Sequence, residues 1–194
     1  MTTKIGEVTT MTSVDSQPDL SAAEAVLGAH VRDVMDFPKP GVVFKDITPL
    51  LSTPAAFGVV VGALADLARA LGATTIAGIE ARGFLLAAPV ADRVGAGLVP
   101  IRKQGKLPGR TRSEAYALEY GTAVLEIHED AVPAGERVLI VDDVLATGGT
   151  AAAAHTLLRG CGADVVGLAV LMELTFLSGR DRTGTLDITS IMKI

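Results

Sequence analysis

Residues 138–150 read Val138-Leu-Ile-Val-Asp-Asp-Val-Leu-Ala-Thr-Gly-Gly-Thr150 and carry the clearest structural signal in the chain. The run 138–141 is wholly apolar and lacks the alternation of a half-exposed strand, which is typical of a parallel strand covered on both faces. Two aspartates follow it, and then a glycine-rich turn that opens an alanine-rich stretch. The segment predicts a buried strand that turns sharply into a helix, as in α/β folds.

The same alternation of β-branched runs and helical patterns continues in both directions. Thr53-Pro54 opens an apolar stripe that ends at Gly72, and Ser21-Ala-Ala-Glu24 matches a capping box before an earlier helix. We expect an α/β, doubly wound, mostly parallel sheet in one domain over residues 20–194, after a flexible N-terminal tail over residues 1–19. The other predicted elements are strands at 75–80, 98–101, 115–119, 122–128, 137–142, 164–173 and 188–192 and helices at 84–94 and 150–160.

Composition narrows the classes of function. Seventeen Lys+Arg against 22 Asp+Glu give a formal net charge of −5, so no global basic field exists to hold nucleic acid or an anionic membrane. The apolar runs are too short for a membrane-spanning helix, and residues 1–19 lack the pattern of a secretion signal. One cysteine and three histidines leave no disulfide framework or structural zinc cluster. We therefore expect a cytoplasmic protein that binds a small ligand.

The turn after the strand at 137–142 predicts a sugar-phosphate site. Ligands of open α/β sheets bind beyond the carboxyl ends of the strands. In residues 146–150, two glycines allow close backbone approach, and two threonines and the helix amides can donate to a phosphate. The motif is neither a Walker A loop nor a dinucleotide fingerprint. Asp142 and Asp143 would repel a phosphate unless they face vicinal hydroxyls or a divalent metal, and a phosphorylated sugar meets that condition.

Cationic residues follow two other predicted strands. Ala81-Arg82-Gly83 comes after the strand at 75–80, where small neighbours let the backbone curl towards the same edge of the sheet. Positive charge gathered in a protein of net negative charge is expected where a polyanion binds. The second group of candidate cations comprises Arg102, Lys103 and Lys106.

Five segments resemble a known family. Asp142-Asp143 with Ala146-Thr-Gly-Gly-Thr150 is similar to the phosphoribosyl pyrophosphate (PRPP) loop of type I phosphoribosyltransferases. The other four resemble the adenine-using branch of that family, in the family's order and at similar spacing over about residues 20–180. They are Phe37-Pro-Lys-Pro-Gly-Val-Val-Phe-Lys-Asp-Ile-Thr-Pro49, Gly78-Ile-Glu-Ala-Arg-Gly-Phe84, Ile101-Arg-Lys-Gln-Gly-Lys-Leu-Pro108 and Tyr116-Ala-Leu-Glu-Tyr-Gly121.

The resemblance implies an enzyme of purine salvage that moves the phosphoribosyl group of PRPP to adenine N9, with Mg²⁺, releasing AMP and pyrophosphate. It implies that Glu119 is the acid/base and that Arg82 takes part in catalysis. The resemblance also implies contacts with each part of the substrates. Asp142 and Asp143 would contact the ribose hydroxyls, and the 5′-phosphate would be bound by Ala146, Thr147, Gly148, Gly149 and Thr150. The pyrophosphate would be surrounded by Ala81, Arg82, Gly83, Arg102, Lys103 and Lys106, and the adenine side would be formed by Val43, Phe44 and Lys45.

The family also implies a small N-terminal hood, a flexible lid loop over residues 102–116, and a homodimer. Mg²⁺ is expected to arrive mainly with the pyrophosphate, without a protein metal cage. Ser113-Glu-Ala-Tyr116 departs from the Ser-x-Ser-Tyr run of many relatives, which leaves the lid contacts there undefined. Two alternatives stay open: a phosphoribosyltransferase for another base, because the phosphate loop does not choose the acceptor, and a non-catalytic regulator that senses PRPP.

Overall fold

A computed structural model describes residues 18–117 and 121–194 of the chain. Residues 1–17 of the predicted tail and Glu119 lie outside the described residues. The helices are α1 (Ser21–His30), α2 (Thr48–Leu51), α3 (Pro54–Ala70), α4 (Arg82–Val94) and α5 (Gly149–Gly160). The strands are β1 (Arg32–Met35), β2 (Val43–Asp46), β3 (Thr75–Ile79), β4 (Gly97–Lys103), β5 (Thr111–Ala117), β6 (Thr122–His128), β7 (Arg137–Leu145), β8 (Asp164–Glu173) and β9 (Ile188–Lys193).

A seven-stranded sheet forms the centre of the fold, in the order β5-β6-β4-β3-β7-β8-β9. The five strands from β4 to β9 in this order pair in parallel, whereas β6 runs antiparallel to β4, and β5 to β6. The chain winds outward from β3 to β4 on one side and from β7 through β8 to β9 on the other. The doubly wound, mostly parallel sheet is thus confirmed, and its topological switch point lies between β3 and β7.

Both faces of the sheet are covered, which explains the unbroken apolar run in β7. Leu139 and Val141 belong to a core built with α1, α3 and α4, while Val138 and Ile140 belong to a second core under α5. All four side chains are fully buried. Successive strand residues point to opposite faces, so a strand with a core on each side needs apolar residues at every position.

Two local predictions are wrong. Residues 111–116, predicted as part of a lid loop, belong to β5, which pairs with β6 from Thr111 opposite His128 to Ala117 opposite Thr122. This edge strand exposes much of its polar sequence, which therefore resembles a loop. The capping box at Ser21 is also absent from the described structure: helix α1 begins at Ser21, whose N–H donates to Asp19 Oδ1 at 2.9 Å.

A separate two-stranded sheet, β1 with β2, lies outside the main sheet. Asp33 is opposite Lys45 in its register, and Lys45 Nζ lies 2.8 and 2.9 Å from the two carboxylate oxygens of Asp33. This pair joins the two strands beside the cavity described below. Among residues 18–117 and 121–194, no helix has the length and apolar character needed to cross a membrane.

Candidate functional site

A cavity of about 390 Å³ opens at the carboxyl ends of β3 and β7, the switch point of the sheet. Parallel strands bring their carboxyl ends to one edge, so the turns that follow β3 and β7 meet there. Strand β2 supplies the opposite wall. The polar and charged side chains on the cavity wall are Lys45, Glu80, Arg82, Lys103, Tyr116, Asp142, Asp143, Thr147 and Thr150.

The loop from β7 into α5 forms the floor of the cavity. Gly148 is the residue before the helix, with a φ of +80° that glycine adopts without strain. Within the described residues, no side chain caps the first turn of α5. The amides of that turn have no partner within the helix, so they and the hydroxyls of Thr147 and Thr150 can donate to an anion at the cavity floor.

Asp142 and Asp143 form the most perturbed part of the site. Burial raises the pKa of Asp142 well above the usual range of an aspartate, and the charge of Asp143 raises it further. Burial also raises the pKa of Asp143, although the Arg82 guanidinium opposes this shift. Ionising both carboxyls in one buried place costs free energy, and hydroxyl donors or a cation from a ligand would offset that cost.

Arg82 connects three parts of the cavity wall. The chain leaves β3 through Glu80 and Ala81, joined by a cis peptide bond, and α4 begins at Arg82. The Arg82 guanidinium pairs with the carboxylate of Asp143, whose side chain is 6% exposed. The same guanidinium lies 4.9 Å from the centroid of the Phe44 ring. Arg82 thus links α4 to both β7 and β2.

Gly83 lies behind Arg82, where α4 meets β7. A Cβ at Gly83 would lie 2.7 Å from the carbonyl oxygen of Val141 and 3.1 Å from Oδ1 of Asp142. Any side chain would therefore push the start of α4 away from the strand. Gly149 has a similar place on the other side of the loop, because its Cβ would meet the carbonyl oxygen of Ala117 at 3.0 Å.

On the β2 side, Phe44 presents an aromatic ring to the cavity. The Phe37 ring packs against it edge-on, with the two ring centroids 5.1 Å apart. Lys45 also lines the cavity, but its ammonium group is held by Asp33. A flat apolar ligand can therefore lie against this wall, with the backbone groups of residues 43–45 at its edge.

Glu80 directly precedes Ala81-Arg82-Gly83 and contacts the second group of predicted cationic residues. Its Oε2 accepts a 2.9 Å hydrogen bond from the Lys103 N–H and lies 3.3 Å from Arg102 Nε. These contacts hold the pKa of Glu80 below its usual range, the Lys103 N–H having the largest effect. Arg102 Nη1 also donates to the Lys106 carbonyl oxygen at 3.0 Å. Arg102 therefore holds the start of the loop over residues 104–110 in place.

The structure brings most of the predicted site residues together. Gly83 and Gly149 pack behind the cavity wall, and Arg102 and Lys106 are not among the residues that line it. Glu119 lies outside the described residues. The residues placed on the wall are Val43, Phe44, Lys45, Ala81, Arg82, Lys103, Asp142, Asp143, Ala146, Thr147, Gly148 and Thr150.

Several residues of the wall were not predicted as site residues from the sequence, and Glu80 and Leu174 are two of them. Glu80 follows β3 directly and Leu174 follows β8 directly, and both line the cavity. The rule that identified Asp142 and Asp143, inspection of residues at the carboxyl ends of apolar runs, would have found both.

The protein side of the cavity offers few metal ligands. Within residues 18–117 and 121–194, no group of three or more His, Cys, Asp or Glu side chains could hold a metal ion. Asp142 and Asp143 provide carboxylate oxygens, the ligands that Mg²⁺ prefers. Mg²⁺ usually takes one or two protein carboxylates and completes its shell with water and substrate phosphates, so this donor set fits it.

Comparison with known proteins places the site in context. Residues 47–191 match the model of the phosphoribosyl transferase domain. The chain is 98% identical to an adenine phosphoribosyltransferase of Parafrankia sp. (strain EAN1pec) over 95% of this chain and 100% of the relative. Its fold is similar to the crystal structure of adenine phosphoribosyltransferase from Thermoanaerobacter pseudethanolicus, with a TM-score of 0.84, 49% identity, and coverage of 87% of this chain and 98% of that one.

A third similar structure was solved with ligands bound. The adenine phosphoribosyltransferase of Saccharomyces cerevisiae, solved with an imino-altritol bisphosphate and adenine, has a TM-score of 0.83 and 37% identity, covering 88% of this chain and 98% of that chain. The family resemblance of the five sequence segments is confirmed by these matches.

Proposed function

The chain belongs to the phosphoribosyl transferase domain family and, within it, to the adenine phosphoribosyltransferases, and on that premise we propose how its cavity works. The reaction transfers the phosphoribosyl group of PRPP to N9 of adenine, giving AMP and pyrophosphate. The observation that supports this most is the joint placement of Asp142, Asp143 and the 146–150 loop opposite the Phe44 ring. A phosphorylated sugar and a flat base would fit on these two facing walls.

The ribose phosphate is assigned to the floor of the cavity. Residues 146–150 bind the 5′-phosphate through amides and hydroxyls at the start of α5. Asp142 and Asp143 accept hydrogen bonds from the ribose 2′ and 3′ hydroxyls. These donors stabilise the ionised form of carboxylates whose pKa values burial has raised.

The pyrophosphate is assigned to the side of the cavity between β3 and β4. The backbone at Ala81 and Gly83, together with Arg82 and Lys103, provides donors there, and Arg102 and Lys106 add positive charge at the loop beyond them. Positive groups fixed near a leaving pyrophosphate stabilise the charge that develops on it. Mg²⁺ bound with the pyrophosphate, near Asp142 and Asp143, would supply further charge neutralisation.

Adenine is assigned to the β2 wall, where Phe44 offers a face for stacking. Backbone groups of Val43 and Lys45 read the edge of the base. A 6-oxo base presents mismatched donors and acceptors there, which leaves buried polar groups unpaired and selects against it. Glu119, carried over from the family resemblance, handles the proton of the adenine ring as N9 attacks.

The acceptor base is the part of the proposal that one experiment tests. The protein is incubated with PRPP, Mg²⁺ and, in separate reactions, adenine, hypoxanthine, guanine, xanthine or orotate, and nucleotide formation is followed. We expect AMP from adenine at a rate well above that of any other nucleotide. Faster turnover of hypoxanthine would identify a phosphoribosyltransferase for another base. PRPP binding without any nucleotide would identify a sensing regulator.

We also propose an oligomeric state, a cellular location and a metabolic role for the protein. The protein acts as a homodimer in the cytoplasm, in purine salvage, as the family resemblance implies. The exposed apolar side chains Leu85 and Leu98, at 50% and 49% exposure, are available for contact with a second copy. Sedimentation velocity at micromolar concentration distinguishes a dimer of this 19.9 kDa chain from a monomer.

A further inference from the structure

The phosphate loop is in close backbone contact with a segment that follows β8. Residues 178–182, here called the brace, form a 3-10 turn over Gly179–Arg182. A Cβ on Gly148 would overlap the carbonyl oxygen of Gly179, and a Cβ on Gly179 would overlap the carbonyl oxygen of Ala146. Two backbones this close leave room for glycine alone at both positions.

An ion pair holds the brace in place. Arg180 donates from Nε and Nη2 to the two carboxylate oxygens of Glu173, at 2.7 and 2.8 Å. Glu173 is the last residue of β8 and is only 6% exposed. Its Oε2 also accepts a 2.8 Å hydrogen bond from the Ser190 hydroxyl of β9. This bidentate geometry suits the planar guanidinium of arginine and not the single ammonium of lysine.

Further contacts fix the brace to the sheet. Arg180 Nη1 donates to the carbonyl oxygen of Ile188 at 3.1 Å. The pKa of Glu173 lies below its usual range, chiefly because of its hydrogen bond from Arg180, so the carboxyl group stays ionised and paired at neutral pH. The brace is therefore attached to both β8 and β9 through charged hydrogen bonds.

None of Glu173, Gly179 and Arg180 is part of the cavity wall. Gly179 is in backbone contact with the 146–149 loop, so this group can affect a ligand through that loop. We propose that Glu173, Arg180 and Gly179 are positioning residues that hold the 146–149 loop in its phosphate-binding conformation before the ligand arrives. Pre-ordering the loop removes part of the cost of arranging several amides around one phosphate.

This inference rests on the proposed function, because it assumes that the 146–149 loop binds the 5′-phosphate. Gly179→Ala is the direct test, since its methyl group pushes against the Ala146 carbonyl. Gly184→Ala is the matched control: it lies in the same stretch of chain, has a φ of +63°, and its Cβ would meet nothing within 4 Å. The control therefore adds local backbone strain without touching the loop.

The assay measures ribose-5-phosphate binding by isothermal titration calorimetry, and KM for PRPP and for adenine separately. For Gly179→Ala we expect ribose-5-phosphate binding about 10- to 150-fold weaker, as for loss of one hydrogen bond to a charged group. KM for PRPP should rise in parallel, whereas KM for adenine should stay within about twofold. Arg180→Lys should shift both quantities in the same direction, because lysine cannot form the paired hydrogen bonds.

Measurements are made well below the melting temperature of each variant, so that a loss of stability alone moves neither affinity nor KM. If Gly179→Ala does not fold, Arg180→Lys provides the same comparison. Wild-type affinity in a folded Gly179→Ala or Arg180→Lys variant, or an equal loss in Gly184→Ala, would overturn the inference. Ribose-5-phosphate binding does not need adenine, so failure of the wild type to convert adenine challenges the proposed function and leaves this test intact.

Discussion

The Arg82 guanidinium pairs with the Asp143 carboxylate, which joins the first residue of α4 to the end of β7 across the switch point of the sheet. The Asp143 side chain is 6% exposed and that of Arg82 is 38% exposed. The pair therefore places a buried negative charge beside a cation that still reaches the cavity. Loss of either partner should affect both stability and ligand binding.

Arg82→Gln is expected to lower the free energy of unfolding by about 1–3 kcal/mol, because the buried Asp143 loses its charged partner. Adding Asp143→Asn should recover part of that loss, which a double-mutant cycle in urea measures. Arg69→Gln is the control, since the Arg69 and Asp66 side chains are 50% and 63% exposed and such pairs contribute at most about 1 kcal/mol. Equal destabilisation by Arg69→Gln would contradict the prediction.

Asp142→Asn should raise stability at pH 8 while weakening PRPP binding. Because burial raises the pKa of Asp142 in the folded protein, the folded state binds this proton more tightly than the unfolded chain. The resulting stability is full below the unfolded-state pKa of 3.8 and is lost as pH rises through the folded-state pKa. Asparagine has no such proton, so the advantage of the variant should shrink towards acid pH.

Thermal melts between pH 4 and 8 and PRPP titrations check this expectation. Each kcal/mol gained should raise the melting temperature by roughly 2–4 °C in a chain of this size. Asp92→Asn, at an exposed position on α4, is the control. Melting temperatures of Asp142→Asn that equal those of the wild type at every pH would show that burial of this carboxyl group has no cost.

Gly83→Ala should destabilise the protein by about 1–3 kcal/mol, since the added methyl group meets the Val141 carbonyl oxygen at 2.7 Å and forces overpacking. PRPP binding should weaken as well, because the start of α4 carries Arg82. Gly58→Ala in α3 meets nothing within 4 Å and should be neutral or slightly stabilising. Chemical unfolding of the two variants side by side measures the difference.

Phe44→Ala should raise KM for adenine by about 5- to 150-fold, the loss expected when a base gives up one stacking partner. The variant tests the assignment of adenine to the β2 wall. Phe176→Ala removes a ring that is 71% exposed and is not among the residues lining the cavity, so steady-state kinetics should show no change for it. An unchanged KM for adenine in Phe44→Ala would show that adenine does not bind at the β2 wall.

Glu119→Gln should lower kcat by about 10²- to 10⁴-fold, as for loss of a general acid or base, with little change in PRPP affinity. Glutamine keeps the size of the side chain and removes the titratable proton. Single-turnover kinetics separates the chemical step from substrate binding. Turnover equal to that of the wild type would remove Glu119 from the reaction.

The parallel sheet and the loop after β7 could be predicted from the sequence, because buried strands and a glycine-rich turn have strong local patterns. The first part of strand β5, residues 111–114, was not predicted as a strand, since an edge strand with polar exposed residues has little apolar periodicity. Arg102 was assigned to the ligand by its charge, but its ion pair with Glu80 joins residues on neighbouring strand ends and depends on tertiary structure. The contact of the brace with the 146–149 loop likewise depends on tertiary structure, because Gly148 and Gly179 are far apart in the chain.

The pairing of β3 with β7 has a consequence for how the protein is made. Gly78 lies opposite Val141, and about 60 residues separate them in the chain. On a ribosome adding about 5–20 residues per second, β3 waits roughly 3–12 s for its neighbour to be synthesised. During that interval an apolar strand lacks a partner along one edge, so nascent chains that pause between these strands should be especially prone to aggregation and dependent on chaperones.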